Sequence, residues 1–421
     1  MQMNLESVFE TPDNENHFFG YYDVPQLCGQ NLNLISVKVE NIYEIPSVKN
    51  QYEIFYFNIR TGEKKLIGKT KTLNFQQGCR AQWLGPNHDT EIIYNDYDNE
   101  SYVSKIYDIK KKNVRTIPVP IYSVSKDGKY IITPSFERLF WCRRGYSYDA
   151  IKDPSKNMKL VSDESITLYE IKSKKEEKIL NIKDVIAIKN NSNMNGATHY
   201  IEHLMFSPCS KKFLFLHRYK IKDGGIFSRL FLYNIENKNL KLILNSGRIS
   251  HFNFINDNLL IFYGSVGSLA TNFRKYKFFQ KVFGFFLKIY KLFIEDNSLL
   301  AKKITKDGYY YYNFLNNEFT KINNNKLNSE DGHPTCASKL NDGFITDNYS
   351  DVDNNHKPSL HWYSKQENNS KEIYKFDSIA ELDNSPLRAD LHPRISYDGN
   401  YISVDTFKNG FRKSICFKIN Y

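Results

Sequence analysis

The sequence predicts an all-β protein, a seven-bladed β-propeller with a helical insertion in blade five. Apolar runs of roughly four to eight residues, such as Leu34 to Val39 and Leu230 to Tyr233, alternate with Asp-Gly and Asn-rich turns. The runs recur in units of about 40 to 60 residues, a spacing typical of propeller blades. With 30 Tyr and 30 Phe in 421 residues, the composition also favours strands.

Each unit combines two inner strands with an outer hairpin. The seven units cover residues 30–66, 77–117, 121–185, 201–246, 251–322, 333–376 and 392–420. The last unit shows only two clear strands, so we expect the N-terminal segment to complete it and close the ring, which removes exposed sheet edges. This pattern predicts one propeller domain over residues 1–421. An open sandwich of the same strands is the alternative.

Residues 265–305 interrupt the strand pattern of blade five. Within them, 273–293 predicts an amphipathic helix, with Phe283 and Tyr290 on one face and Lys277 and Lys288 on the other. Three interpretations stay open. The helix packs on the propeller rim, docks a partner, or makes a peripheral contact with a membrane. The last interpretation places the protein at the inner membrane.

The formal net charge of +11 suits an acidic glycan, an anionic membrane or nucleic acid. Because the lysines are spread along the whole chain, a solvated surface explains the charge equally well. No nucleic acid is expected as a partner, since no module for binding it is recognisable. The six cysteines form no CxxC pair and the N-terminus resembles no secretory signal. We therefore expect a cytoplasmic protein with reduced thiols.

Four histidines open strands at equivalent places of four units: His203, His251, His333 and His392. In a propeller blade, the start of the first strand and the end of the second lie at the same mouth of the channel. We therefore expect the four imidazoles to converge there. Imidazole can bind a transition metal or act as a general base near neutral pH. A polar tie between blades is the structural alternative for each of them.

The same rule brings further polar side chains to this mouth. They are His17, Tyr21, Tyr22, Gln77, Arg80, Arg138, Arg143, Arg144, Tyr146, Arg218, Asp347, Arg388 and Arg394. Arginine offers a planar fork that matches a carboxylate, and tyrosine offers a stacking face and a phenolic acid. The combination predicts a pocket for an acidic sugar. Cross-linking of loops is the alternative role of the arginines.

Five short segments carry a resemblance to known proteins. They are residues 17–23 (HFFGYYD), 76–83 (QQGCRAQW), 202–208 (EHLMFSP), 331–334 (DGHP) and 390–394 (DLHPR). The chain resembles a bacterial propeller family associated with surface-polysaccharide genes. More distantly, it is similar to the oligogalacturonate lyases, seven-bladed cytoplasmic propellers that cleave uronate oligosaccharides by β-elimination.

The resemblance to the lyases implies roles for particular residues. His333 and His392, together with His251, would hold a divalent metal, Mn²⁺ or Ca²⁺, and Asp390 stands near His392 where a further ligand is expected. The resemblance gives His203 the role of base. From the residues at the mouth, His17 is the alternative base and Tyr21 or Tyr146 would be the acid. Gln77 and the arginines Arg80, Arg138, Arg143, Arg144, Arg218 and Arg394 would bind the substrate.

Two functions are therefore expected. The first is a lyase that cleaves a uronate-containing glycan by β-elimination, with charge at the carboxylate stabilised by a metal or by arginine. The alternative is a non-catalytic propeller that acts as a glycan-binding or assembly component in surface-polysaccharide biosynthesis. An acidic glycan is the partner in both.

Overall fold

Twenty-seven strands form seven antiparallel sheets in the computed structural model of the protein. The structure describes residues 3–161, 163–222, 224–267, 306–351 and 354–421. Within them, six sheets have four strands and one has three. Six of the sheets are built from strands that follow one another in the chain, and the seventh joins β1 to β25, β26 and β27. This arrangement is the predicted seven-bladed propeller.

The first four blades follow the chain without a break. Blade one contains β2 (Asn16–Phe18), β3 (Asn33–Val39), β4 (Tyr52–Asn58) and β5 (Lys64–Thr70). Blade two contains β6 (Gln82–Trp83), β7 (Glu91–Asp98), β8 (Ser101–Asp108) and β9 (Asn113–Ile117). Blade three contains β10 (Ser123–Val124), β11 (Tyr130–Thr133), β12 (Ser165–Glu170) and β13 (Lys175–Asn181). Blade four contains β14 (Thr198–Phe206), β15 (Lys212–Lys220), β16 (Ile226–Asn234) and β17 (Asn239–Gly247).

The remaining blades complete the ring. Blade five contains β18 (Ile249–Asn256), β19 (Leu259–Ser265), β20 (Asp307–Asn313) and β21 (Glu318–Lys321). Blade six contains β22 (Phe344–Asp347), β23 (Ser359–Ser364) and β24 (Asn369–Lys375). Blade seven contains β25 (Arg394–Ile395), β26 (Tyr401–Lys408), β27 (Phe411–Asn420) and β1 (Asn4–Glu10). In blade six, an isolated bridge between Thr335 and Ile345 takes the place of the innermost strand.

Helices are few and short in the described residues. The α-helices are α1 (Phe136–Cys142), α2 (Ile182–Ala187) and α3 (Asn325–Asn328), and two 3-10 helices cover Ser338–Leu340 and Ala380–Leu382. None of them is long and apolar enough to cross a membrane. The predicted insertion at 265–305, with its helix at 273–293, falls almost wholly on residues 268–305, which lie outside the described ranges. The strands on either side of it pair directly, with Ser265 opposite Asp307.

The core lies between neighbouring blades, because both faces of each inner sheet are covered. Phe213, Leu214, Phe215 and Leu216 of β15 are all fully buried. Phe213 and Phe215 pack in a cluster shared with blade three, while Leu214 and Leu216 pack in one shared with blade five. Alternate residues of a strand point to opposite faces. A strand buried on both sides therefore appears as a continuous apolar run.

Two joints close the ring between the ends of the chain. At the outer edge, β1 pairs antiparallel with β27, with Asn4 opposite Asn420, which confirms that the N-terminal segment completes blade seven. At the inner edge, the buried carboxylate of Asp405 accepts hydrogen bonds from the backbone N–H groups of Phe19 and Gly20, at 3.1 and 2.9 Å. Asp405 also receives Arg394 Nη1 at 3.0 Å and Ser414 Oγ at 2.8 Å.

We expect Asp405→Ala to lower the free energy of unfolding by about 3–5 kcal/mol, because it leaves the buried Arg394 guanidinium without its counter-charge. The matched control is Arg115→Ala, which breaks the exposed Arg115–Glu91 ion pair and should cost less than about 1 kcal/mol. Urea unfolding followed by circular dichroism measures both. If the two substitutions had equal effects, Asp405 would not be what stabilises the closure of the propeller at its inner edge.

Candidate active site

The chain between β2 and β3 leaves the sheet and enters the central channel at Gly20. Gly20 has a φ of 131°, and a Cβ built there would lie 2.5 Å from the backbone carbon of Gln77. A Cβ on Gly78 would lie 2.1 Å from the Phe19 carbonyl oxygen. Only glycine fits such a close backbone approach. Blade two and Asp405 of blade seven thus hold the segment from both sides.

This segment delivers Tyr21 and Tyr22 into the middle of the four histidines. The Tyr21 ring centroid lies 5.3, 6.5, 6.0 and 5.0 Å from those of His203, His251, His333 and His392 respectively. Tyr22 lies between 5.1 and 6.4 Å from the same four rings. All six side chains are buried, with exposures of 1–5%. The four strand-start histidines therefore share one site, which we call the histidine ring.

His203 lies on a strained stretch of backbone. Its φ of 52° is in the left-handed region, which costs a non-glycine residue about 1–2 kcal/mol. Its N–H donates to the Tyr122 hydroxyl at 3.0 Å. Its Nε2 lies 3.1 Å from the Tyr22 hydroxyl, which itself donates to the Phe252 carbonyl at 2.9 Å. Since that hydroxyl has a single hydrogen, His203 Nε2 carries the proton in this arrangement and Nδ1 is the basic atom.

Burial sets the protonation state of most of the ring. It lowers the pKa of His203 well below its ordinary value, and the neighbouring His251 and Arg218 act in the same direction. Burial likewise lowers the pKa of His392 well below its ordinary value, with His333 and Arg394 contributing. Both rings are therefore neutral near pH 7, the form that can accept a proton or bind a metal.

His333, Asp390 and His392 form a group that could hold a metal ion. One ligand atom from each lies within 4.8 Å of the others, and all three residues are buried. His392 Nε2 lies 3.9 Å from Asp390 Oδ2 and has no hydrogen-bond partner among the described residues. His333 Nδ1 lies 3.0 Å from both Asp347 oxygens, the pairing with a carboxylate that orients metal-binding histidines. These residues fit a metal.

His251 lies beside this group and takes no part in it. Its ring centroid is 4.2 Å from that of His333, and its Nδ1 lies 3.1 Å from Asp331 Oδ1. Burial acts to lower the pKa of both histidines. For His251 it prevails, helped by the charge of His333. For His333, the charge and hydrogen bonds of Asp347 outweigh burial and raise the pKa above its ordinary value.

A half-exposed rim of two arginines and two tyrosines covers the histidine ring. The Arg143 guanidinium lies 3.7 Å from the Tyr146 ring centroid and pairs with Glu202 at 2.6 Å. Arg388 donates to Asp390 at 2.8 Å and to the Tyr146 hydroxyl at 3.4 Å. The fourth member, Tyr349, lies 5.5 Å from His333 and 5.7 Å from Arg388. This rim is the part of the site that solvent can reach.

Three of the arginines predicted to bind substrate are buried in ties between loops. Arg80 forms a two-pronged ion pair with Asp23, at 2.9 Å for each contact. Arg394 binds Asp405, and Arg138 binds Asp153 together with carbonyl groups that include His199 O at 3.2 Å. These three arginines therefore cross-link loops, the alternative role considered above. Their guanidinium groups are already bonded to partners within the chain.

The other predicted residues are distributed as follows. Arg143 and Tyr146 belong to the rim, and Arg144 is exposed next to it. Arg218 pairs with Glu202, and Gln77 donates to the Tyr122 hydroxyl at 2.9 Å.

His17 has its own environment in blade one. Its ring packs against Phe55 and Phe57 and its Nε2 contacts Glu15. Burial lowers its pKa to about 4. His17 therefore packs within blade one, away from the four histidines. Of the two candidate bases, His203 is the one that lies in the histidine ring.

Two residues of the site, Asp331 and Tyr349, were not predicted from the sequence. Tyr22, Asp347, Arg388 and Asp390, which the sequence did place at this mouth, all lie in the site. Asp347 ends β22 of blade six and Tyr349 lies just beyond it. Residues at the end of the second strand of a blade are expected at the same mouth as the strand-start histidines. Asp390 precedes His392 by two residues, a spacing that indicates a shared loop.

Comparison with solved structures shows which proteins share this fold. An oligogalacturonate lyase from Vibrio parahaemolyticus superposes with a TM-score of 0.62 at 10% identity, over 99% of this chain and 97% of the lyase. An oligogalacturonate lyase in complex with manganese superposes with a TM-score of 0.60 at 11% identity, over 100% and 97%. A prolyl endopeptidase gives 0.50 at 8% identity, over 96% of this chain and 50% of that one.

At these identities, the likeness shows the propeller fold alone, since a hydrolase of peptides shares it. Comparison with protein-family models and with curated proteins gives no match. The association with surface-polysaccharide genes stays a prediction.

We expect Gly20→Ala to lower the free energy of unfolding by several kcal/mol more than Gly62→Ala does. A Cβ built at Gly62 would meet nothing within 4 Å. Both glycines have a positive φ, so both substitutions carry backbone strain of about 1–3 kcal/mol. Only the first also forces blade two away from the Tyr21 segment. Thermal unfolding of the two variants measures the difference. Equal midpoints would show that the close approach at Gly20 does not hold the segment.

Proposed function

We propose that this protein is a lyase that cleaves a uronate-containing glycan by β-elimination. The observation that carries the proposal is the convergence of four histidines and Asp390 beneath the two rim arginines, Arg143 and Arg388. This set combines neutral bases, a candidate metal site and cations for a carboxylate. Lyases of the same fold are known, and one of them is described in complex with manganese.

Elimination requires stabilisation of charge on the uronate carboxylate while the neighbouring C5 proton leaves. His333, Asp390 and His392 would hold a divalent metal, which acts as a Lewis acid toward the carboxylate when bound. Two imidazoles and one carboxylate suit a transition-metal ion better than Ca²⁺, which takes oxygen ligands. Of the two predicted ions, Mn²⁺ is therefore favoured. Arg388 supplies a cation next to Asp390.

His203 is the proposed base and Tyr21 the proposed acid. Neutral His203 takes the C5 proton on Nδ1, while its protonated Nε2 stays bonded to Tyr22. The electron pair of the C5–H bond forms the C4–C5 double bond, and the bond from C4 to the glycosidic oxygen breaks. Burial raises the pKa of Tyr21 well above its ordinary value, so its hydroxyl keeps the proton that the departing oxygen needs.

The burial of the histidine ring favours a second candidate function. Its histidines are 1–5% exposed beneath the rim, so a substrate reaches them only if side chains that cover them move. An acidic glycan could bind the rim residues Arg143, Tyr146, Tyr349 and Arg388 without any movement. This is the non-catalytic glycan-binding role.

Metal binding is tested without any substrate. We expect Mn²⁺ at a hundredfold excess over its Kd to stabilise the folded chain by about 2.7 kcal/mol. His392→Ala should abolish this gain, because it removes the unpartnered Nε2. His361→Gln, which alters a histidine bonded to Ser359 on β23, should keep it. Differential scanning calorimetry after dialysis against a chelator measures the shift. A shift retained in His392→Ala would contradict the assignment of the ligands.

Activity is tested on oligogalacturonates and other uronate oligosaccharides, with the ultraviolet absorbance of the unsaturated product as the readout. We expect product formation in the wild type, and a loss of about 10²–10⁴ in rate for His203→Gln because it removes the base. His361→Gln is again the matched control. Binding of these oligosaccharides without any unsaturated product would establish the non-catalytic role and refute the lyase.

A further inference from the structure

A cavity lined by both apolar and cationic side chains opens next to the rim, between blades three and four. Its volume is about 260 Å³. It is lined by Trp141, Cys142, Lys159, Gly196, Thr198, Tyr200, Lys220, Ile221 and Lys222. Thr198 begins β14 and Lys220 ends β15, so the cavity lies on the same face of the propeller as the histidine ring.

The charged side chains that line the cavity are all positive. Lys159, Lys220 and Lys222 are exposed, and no carboxylate stands among the described residues that line it. None of the three ammonium groups has an ion-pair partner in the part of the chain that the structure describes, whereas many other lysines of the protein do. Such a concave surface attracts an anion.

Trp141 gives the cavity an apolar wall. It follows the buried part of α1 and is 44% exposed, while the other two tryptophans, Trp83 and Trp362, are 2% and 5% exposed. An indole ring in solvent leaves a large apolar face uncovered. A flat apolar face beside cations suits a sugar ring that bears a carboxylate.

The Tyr200 hydroxyl supplies the observation that points to a ligand. Tyr200 is 1% exposed, lines the cavity, and its hydroxyl has no hydrogen-bond partner among the described residues. Buried hydroxyls are nearly always paired, because an unpaired one keeps the full cost of desolvation. A hydroxyl or carboxylate oxygen of a bound molecule would satisfy it.

The cavity is also continuous with the rim. Cys142 lines it, and the next residue, Arg143, stacks on Tyr146 above Tyr21. On β14, Tyr200 precedes Glu202, the partner of Arg143, and stands three residues before His203. At about 3.3 Å per residue, this separation is roughly 10 Å along the strand.

The geometry points to this cavity as an outer subsite that binds a second uronate unit of a longer acidic glycan. Trp141 stacks on the sugar, the three lysines bind its carboxylate, and the Tyr200 hydroxyl bonds a ring substituent. This inference rests on the proposed function for the choice of a uronate as the ligand. It goes beyond that function in assigning the length of chain that the protein recognises.

The test uses the fluorescence of Trp141 in a His203→Gln background, so that the saccharide is not cleaved during the titration. We expect trigalacturonate to change the emission with saturation, and the neutral trisaccharide of galactose to have no effect. Trp141→Phe should remove the signal, which identifies the reporter. No saturable change, or an equal change with the neutral sugar, would overturn the proposal.

Two variants test the named contacts. The double substitution Lys159→Gln and Lys220→Gln should weaken binding of trigalacturonate at least tenfold. The control Lys211→Gln should leave it unchanged, because this exposed lysine pairs with Glu236 and precedes β15, at the opposite end of that strand from Lys220. Tyr200→Phe should weaken binding several-fold while the unfolding midpoint stays equal or rises, since the hydroxyl has no partner to lose. A lower midpoint with unchanged binding would show that the hydroxyl is structural.

Inorganic phosphate separates a sugar site from a general anion site. We expect phosphate at the same concentration to leave the Trp141 emission unchanged, and an equal response to it would overturn the assignment to a uronate. The titration reports binding whether or not elimination occurs. A saturable response in a protein without lyase activity therefore refutes only the proposed function, and lyase activity without the response refutes only the subsite.

Discussion

The close approach of the Phe19–Tyr22 segment to blade two is the constraint on which the site depends. Gly20 and Gly78 allow the two backbones to pass within a distance that no side chain would permit. Asp405 and Arg394 hold the same segment from blade seven, with Arg394 Nη1 donating to the Gly20 carbonyl at 2.8 Å. The contacts of Asp405 and Arg394 that close the inner edge of the propeller thus also place Tyr21 and Tyr22 among the histidines.

The histidine ring shows how position in the fold sets the chemistry of one residue type. His203 and His392 are buried and neutral, and only His333, which faces Asp347, has a raised pKa. Three different tasks follow from these three environments. His203 suits the acceptance of a proton, and His333 is oriented by a carboxylate. His392 offers a nitrogen that has no partner in the described part of the chain.

The fold could be predicted closely because strands buried on both faces leave a clear apolar pattern. The run Leu34 to Val39 lies in β3, and the pairing of β1 with β27 follows from the missing strands of blade seven. The three-residue strand β2 and the short helix α1 are harder to predict, since neither is long enough to show a period.

The site could be predicted in part. Because strand starts and second-strand ends meet at one mouth of a propeller, the sequence places the four histidines together. The same reasoning does not separate Arg143 at the rim from Arg80, Arg138 and Arg394, which form buried ion pairs. That distinction depends on which partner each fork meets in three dimensions. The sequence placed Tyr22 at the mouth, but its bond with Phe252 joins blades one and five and shows only in three dimensions.

The proposed role of the histidine ring, a metal site that serves an acidic glycan, is tested most directly by a crystal structure. The crystals would be grown with Mn²⁺ and measured near the manganese absorption edge. We predict an anomalous peak within bonding distance of His333, Asp390 and His392. Manganese bound only at other residues, or no manganese with His392 Nε2 still unpartnered, would contradict it.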